Sequence, residues 1–145
     1  MFKSILVPYD GSQGARNALA KAIDLARLCE AKLEILTVYR HHSMLEASLS
    51  MVRKEDPGNL DDVMRGHARE VAEHAKTICA EAGLEGVRAF VKSGHASRTI
   101  VRFAEEHGHD LIVIGSRGLG SIENYLLGSV SHKVTGMADI PVLVV

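Results

Sequence analysis

Tryptophan is missing from this 145-residue chain, and aromatic residues make up only 4% of it. There are two cysteines, Cys29 and Cys79, whose wide separation predicts neither a disulfide framework nor a CxxC site. No apolar run is long enough to cross a bilayer, and no secretory signal opens the chain. We therefore expect a cytoplasmic protein in a reducing compartment, without membrane insertion.

Neither sign of charge is in excess, since 17 basic residues face 18 acidic ones and the formal net charge is −1. The basic residues are also scattered along the chain, which argues against a nucleic-acid-binding surface. The length predicts one domain over residues 1–145, large enough to bury a core without disulfides or metal.

Several motifs that define enzyme classes are absent as well. The chain has no GxxxxGK[ST], no GxGxxG after its first predicted strand, no GxSxG and no HExxH. Its eight histidines lack a shared metal-ligand spacing, and His107 and His109 are predicted to meet carbonyls at a helix end. The sequence therefore predicts no catalytic residue and no directly bound metal.

What the chain does contain is an alternation of short apolar segments with amphipathic ones. Strands are predicted at residues 4–7, 32–38, 86–92, 110–114 and 142–145, and helices at 13–30, 60–82, 96–107 and 128–138. Residues 56–59 read as a break, and residues 40–59 as an irregular segment that could face a partner. The alternation predicts an α/β fold whose parallel sheet has helices on both faces.

The most specific chemical signal follows the fourth predicted strand. Gly115-Ser116-Arg117-Gly118 is followed, after nine residues, by Gly128-Ser129-Val130-Ser131. Glycines allow close approach of the backbone to an anion, and the free N–H groups at a helix start bind phosphate. The pattern favours a phosphate site beyond the strand ends, although a plain turn remains an alternative.

These motifs resemble the nucleotide-binding signature of the universal stress protein family. The opening segment Pro8-Tyr9-Asp10-Gly11-Ser12 and the closing strand also resemble that family, so the similarity covers the whole chain. Every motif glycine is present, which is typical of the family's ATP-binding branch. The resemblance implies a single doubly wound domain with five parallel strands in the order 3-2-1-4-5. It also implies a homodimer formed through the last strand, which consists of Pro141, Val142, Leu143, Val144 and Val145.

The resemblance further implies an ATP site with defined roles. Gly115 and Gly118 would curl around ribose and phosphate, and Arg117 would either pair with phosphate or remain solvated. The backbone and hydroxyl groups that would donate to the β- and γ-phosphates belong to Gly128, Ser129, Val130 and Ser131.

The remaining implied contacts come from the first two strands. Pro8 and Val38 would form part of the adenine or ribose wall, and Val38 would also offer its backbone polar groups. Asp10 would contact the nucleoside or, through water, a Mg²⁺ ion held by the phosphates. The alternative for Asp10-Gly11-Ser12 is a simple helix-capping turn.

The resulting hypothesis is a stress-response homodimer that uses ATP with Mg²⁺ as a regulatory ligand and acts on an unidentified protein partner. A slow ATPase is one alternative, because Asp10, Arg117 and Ser129 could supply parts of such a site, although no general base is visible. A nucleotide-independent scaffold is another. The sequence does not decide between ATP, ADP, AMP and a cyclic nucleotide, or between a dimer and a tetramer.

Overall fold

The computed structural model describes residues 1–40, 57–119 and 127–145 of the chain. Its strands, in chain order, are β1 (Ser4–Pro8), β2 (Lys32–Tyr39), β3 (Arg88–Ser93), β4 (Leu111–Ile114) and β5 (Val142–Val144). Its helices are α1 (Gln13–Cys29), α2 (Pro57–Glu81), α3 (Ala96–Glu106) and α4 (Ser129–Met137).

All five strands are parallel and form one sheet in the order β3-β2-β1-β4-β5. β1 lies at the centre, where Ile5 is paired with Leu33 on one side and with Leu111 on the other. This confirms the predicted fold class and strand order. It also brings the loops that follow β1 and β4 to the same edge of the sheet.

The sheet separates two apolar layers, because successive side chains of a strand point to opposite faces. Ile5 and Val7 pack against α1 and α2, whereas Leu6 packs against α3 and α4. All three side chains have no solvent exposure. Burial on both faces explains why β1 and β4 read as continuous apolar runs rather than as alternating ones.

Some element boundaries differ from the prediction. α2 begins at Pro57, inside the segment interpreted as a break, because proline is well suited to the first helical turn, where no N–H partner is needed. β3 begins two residues later than predicted, after Gly86, whose φ is +76°. Residues 41–56, which hold most of the predicted irregular segment, lie outside the described residues.

Both cysteines are free thiols. Cys79 is fully buried, and burial raises the pKa of its thiol to about 11. A thiol that stays protonated is a poor nucleophile, which supports a packing role. Among the residues that the structure describes, no helix has the length and apolar character needed to span a membrane.

Candidate functional site

A cavity of about 230 Å³ lies at the carboxyl ends of the central strands. Its walls come from the ends of β1, β2 and β4, from the loops after β1 and β4, and from the first turns of three helices. All ten residues predicted to bind the nucleotide line this cavity: Pro8, Asp10, Val38, Gly115, Arg117, Gly118, Gly128, Ser129, Val130 and Ser131. The fold thus brings together residues from three distant parts of the sequence.

The carboxylate of Asp10 links the two loops that face each other across the cavity. Oδ1 accepts a hydrogen bond from the Ser12 N–H at 2.9 Å, and Oδ2 accepts one from the Leu119 N–H at 3.2 Å. A Cβ atom on Gly118 would lie only 2.6 Å from Oδ2 of Asp10. An alanine at position 118 would therefore have to displace this carboxylate from its hydrogen bonds.

The Asp10-Gly11-Ser12 segment also performs the capping role that was its alternative interpretation. The Ser12 hydroxyl accepts a hydrogen bond from the Ala15 N–H at 3.1 Å and so caps α1. Gly11 has a φ of +82°, which a residue with a side chain rarely adopts. Capping uses the Ser12 hydroxyl, so it does not prevent the Asp10 carboxylate from holding the loop after β4 through Oδ2.

The first half of the loop after β4 is held firmly by the protein. Ser116 N–H donates to the carbonyl of Val145 at 2.8 Å, and Ser116 O accepts from the Gly128 N–H at 2.6 Å. The Ser131 hydroxyl, which is buried, donates to the carbonyl of Gly115 at 2.5 Å. Ser131 was predicted to donate its hydroxyl to phosphate, but in the structure this proton has a partner within the protein.

The start of α4 directs donors to the cavity, and no side chain among the described residues caps this helix end. Gly128 is its N-cap residue and gives the helix no side-chain cap. The exposed hydroxyl of Ser129 lies at the same end, next to the first N–H groups of the helix. The positive end of the helix dipole adds to the attraction for an anion at this position.

The register of β2 explains how Val38 can offer backbone groups. The backbone carbonyl of Leu36 points towards the β1 side, where it accepts from the Tyr9 N–H at 2.9 Å. The backbone carbonyl of Tyr39 points towards the β3 side, where it accepts from the Gly94 N–H at 3.0 Å. Backbone groups alternate along a strand, so those of Val38 point to the β1 side. Since β1 ends at Pro8, they point into the cavity.

The sequence interpretation missed much of the apolar wall. Ala96 and Ile100 from α3 line the cavity together with Leu36 and Ile114 from the sheet. Their spacing of four residues places both side chains on one face of the first turns of α3, and this spacing was a usable signal in the sequence. The Arg117 side chain lies exposed at the rim, so its solvated alternative stays open.

A further titratable residue at this edge of the sheet is directed away from the loops. The Tyr9 hydroxyl lies 3.0 Å from Nδ1 of His74 on α2. Burial raises the pKa of Tyr9 above its ordinary value of 10.0, so this hydroxyl stays protonated at neutral pH. Within the described residues, no group of three or more His, Cys, Asp or Glu side chains is placed to hold a metal ion.

Comparison with known proteins agrees with this architecture. The profile of the universal stress protein family matches residues 1–145. A universal stress protein from Bacillus subtilis, YxiE, is 35% identical over 148 residues, which cover 100% of this chain and 99% of the relative.

Solved structures show the same similarity. The universal stress protein UspA from Lactobacillus plantarum superposes with a TM-score of 0.82 at 27% identity, over 99% of this chain and 97% of that one. A universal stress protein solved in complex with cAMP gives a TM-score of 0.73 at 27% identity, over 99% of this chain and 96% of that one. The chain therefore belongs to the universal stress protein family.

Proposed function

We propose that this protein binds ATP, together with Mg²⁺, in the cavity at the carboxyl edge of its sheet, as a regulatory ligand in a stress response. The observation that carries this proposal is the convergence of ten predicted residues, from separate sequence segments, on a single cavity. Chance would not be expected to place the glycine motif, Asp10 and Val38 around the same space.

The two ends of the cavity suit the two ends of a nucleotide. The apolar wall with the inward-facing backbone of Val38 suits adenine, whose N6 amino group and N1 can pair with a carbonyl and an N–H. The loop after β4 and the start of α4 offer donors for phosphates. The cAMP complex of a structural neighbour is consistent with an adenine nucleotide as the ligand class.

Binding without efficient hydrolysis is the better fit to this geometry. Both oxygens of the Asp10 carboxylate accept backbone N–H groups, which leaves it poorly placed to activate a water molecule. In the described residues around the cavity, no other carboxylate or histidine contributes to the lining. A slow ATPase is therefore the second candidate, and a nucleotide-independent scaffold is the third.

We also propose that two copies associate through β5 in the cytoplasm. β5 forms an edge of the sheet, and an edge strand leaves a row of backbone groups unpaired. The segment Pro141, Val142, Leu143, Val144 and Val145 is apolar, with Leu143 39% exposed. Sedimentation analysis of the purified protein tests this dimer, and a concentration-independent monomer would exclude it.

The experiment that tests the function is mass spectrometry of small molecules released by denaturing the purified protein, calibrated against protein concentration. Near-stoichiometric ATP would support a regulatory binding protein with negligible turnover. ADP alone would favour the ATPase alternative. An empty protein that also shows no heat of binding on titration with Mg·ATP at millimolar concentration would favour the scaffold.

A further inference from the structure

The first turn of α1 contains a glycine that touches the loop after β4. A Cβ atom on Gly14 would lie 2.2 Å from the backbone carbonyl oxygen of Arg117. The contact is reciprocal, since a Cβ atom on Gly115 would lie 2.6 Å from both the carbonyl carbon and the carbonyl oxygen of Gly14. The helix and the loop therefore meet backbone against backbone, without a side chain between them.

The loop cannot simply move away from a side chain at position 14. Its first two residues are hydrogen-bonded to other parts of the protein: the Ser131 hydroxyl donates to Gly115 O, Gly128 N–H donates to Ser116 O, and Ser116 N–H donates to Val145 O. An ordinary carbon–oxygen contact is about 3.3–3.6 Å, so the loop would have to shift by roughly 1 Å. Such a shift would strain or break these hydrogen bonds.

The helix is fixed more firmly than the loop. Ala15, Ala18 and Leu19 of α1 are buried against the sheet, and the Ser12 hydroxyl caps the same turn that contains Gly14. Lifting this turn would expose apolar surface and lose the cap. Of the two partners, the loop has the more exposed residues at Arg117 and Gly118, and it is the part expected to yield.

We propose that Gly14 is a positioning residue for the nucleotide: its missing side chain lets the loop after β4 rest on α1 in the conformation that holds ribose and phosphate. This inference rests on the proposed nucleotide site. Gly14 does not line the cavity, so it acts on the ligand only through the loop.

Gly14→Ala, compared with Gly66→Ala, tests the proposal. Gly66 lies in the interior of α2, and a Cβ atom there would meet no atom of the described residues within 4 Å. Alanine favours helix at both positions, so loss of helix propensity cannot explain a defect in Gly14→Ala. We expect Gly14→Ala to raise the Kd for Mg·ATP by about tenfold or more, by analogy with other misplacements of about 1 Å, and Gly66→Ala to leave it unchanged.

Amide hydrogen exchange provides a readout that does not depend on nucleotide. Gly14→Ala should speed exchange at Ser116 and Leu119, whose N–H groups bond to Val145 O and Asp10, while amides in the centre of the sheet stay protected. Unchanged exchange at these two amides in Gly14→Ala would overturn the proposal. So would an ATP affinity of Gly14→Ala equal to that of a wild-type protein that binds ATP. If wild-type protein binds no ATP while the exchange shift appears, the proposed function fails and the positioning of the loop by Gly14 stands.

Discussion

The Ser131 hydroxyl gives the most direct test of how the loop after β4 is held. It is 3% exposed and donates to the Gly115 carbonyl at 2.5 Å, which ties the start of α4 to the end of β4. Ser131→Ala removes the donor and keeps the rest of the side chain. A buried acceptor then loses its side-chain partner.

The expected cost of Ser131→Ala is about 1–3 kcal/mol in the free energy of unfolding, the usual range for leaving a buried polar group unsatisfied. For a domain of this size, a loss of 1 kcal/mol lowers Tm by roughly 3–4 °C, so the drop in Tm should be roughly 3–12 °C. Urea denaturation and thermal unfolding of ligand-free protein measure both quantities. A variant within about 0.5 kcal/mol of wild type would refute a supporting role for this hydrogen bond.

Ser129→Ala is the matched control, since it makes the same chemical change two residues away at an exposed hydroxyl. Its stability should stay within about 0.5 kcal/mol of wild type. If the proposed site is correct, it should instead weaken Mg·ATP binding by about tenfold, the value of a hydrogen bond to a charged group. Equal effects of the two variants on stability would contradict the distinction between a structural and a ligand-facing serine.

Three further outcomes follow. Gly118→Ala should raise the Kd for ATP by about tenfold, because its Cβ would lie 2.6 Å from Oδ2 of Asp10, and intact affinity in a titration would show the site assignment to be wrong. ATP should bind at least about 100-fold more tightly than GTP in competition titrations, because guanine would place an acceptor opposite the carbonyl of Val38 and a donor opposite its N–H. Equal affinities would refute this orientation of the base. Burial lowers the pKa of His109 below its ordinary 6.5, an effect that Lys32 and His107 reinforce and Glu34, 2.9 Å away, opposes. As the pH falls, His109 is protonated in the unfolded chain at a higher pH than in the folded protein. The free energy of unfolding should therefore decrease as the pH falls below about 6.5. His109→Gln should flatten this slope in urea titrations between pH 7 and 5, and an unchanged slope would contradict it.

Sequence patterns predicted the α/β architecture well because strands that are buried on both faces of a parallel sheet are apolar throughout. The run Leu111-Ile112-Val113-Ile114 is apolar throughout, and the amphipathic segments between strands have helical spacing. The strand order came from the family resemblance, since local patterns do not specify which strands are neighbours. The helix start at Pro57 was the boundary that was hardest to predict, because a proline can stand either at the end of a helix or in its first turn.

The histidines show where local interpretation reaches its limit. His107 meets a helix carbonyl as expected, with Nδ1 3.0 Å from Phe103 O. His109 was given the same role, but it is buried and its Nε2 lies 2.9 Å from Oε1 of Glu34. That partner is 75 residues away in the sequence, on a strand where a charged residue would ordinarily point to solvent.

The glycines of the motif also show a role that local sequence patterns did not reveal. They were interpreted as places where the backbone approaches an anion, yet positive φ angles among the described glycines occur at other positions, such as Gly11. Gly115, Gly118 and Gly128 instead lack side chains where the protein meets itself: at Gly14, at Asp10 and at Ser116. The motif therefore places glycines at three close contacts, through which the loop packs against two helices and a carboxylate. A ligand that binds this loop would bind a surface already shaped by the protein, which is why Gly14, outside the motif and outside the cavity, should matter to its affinity.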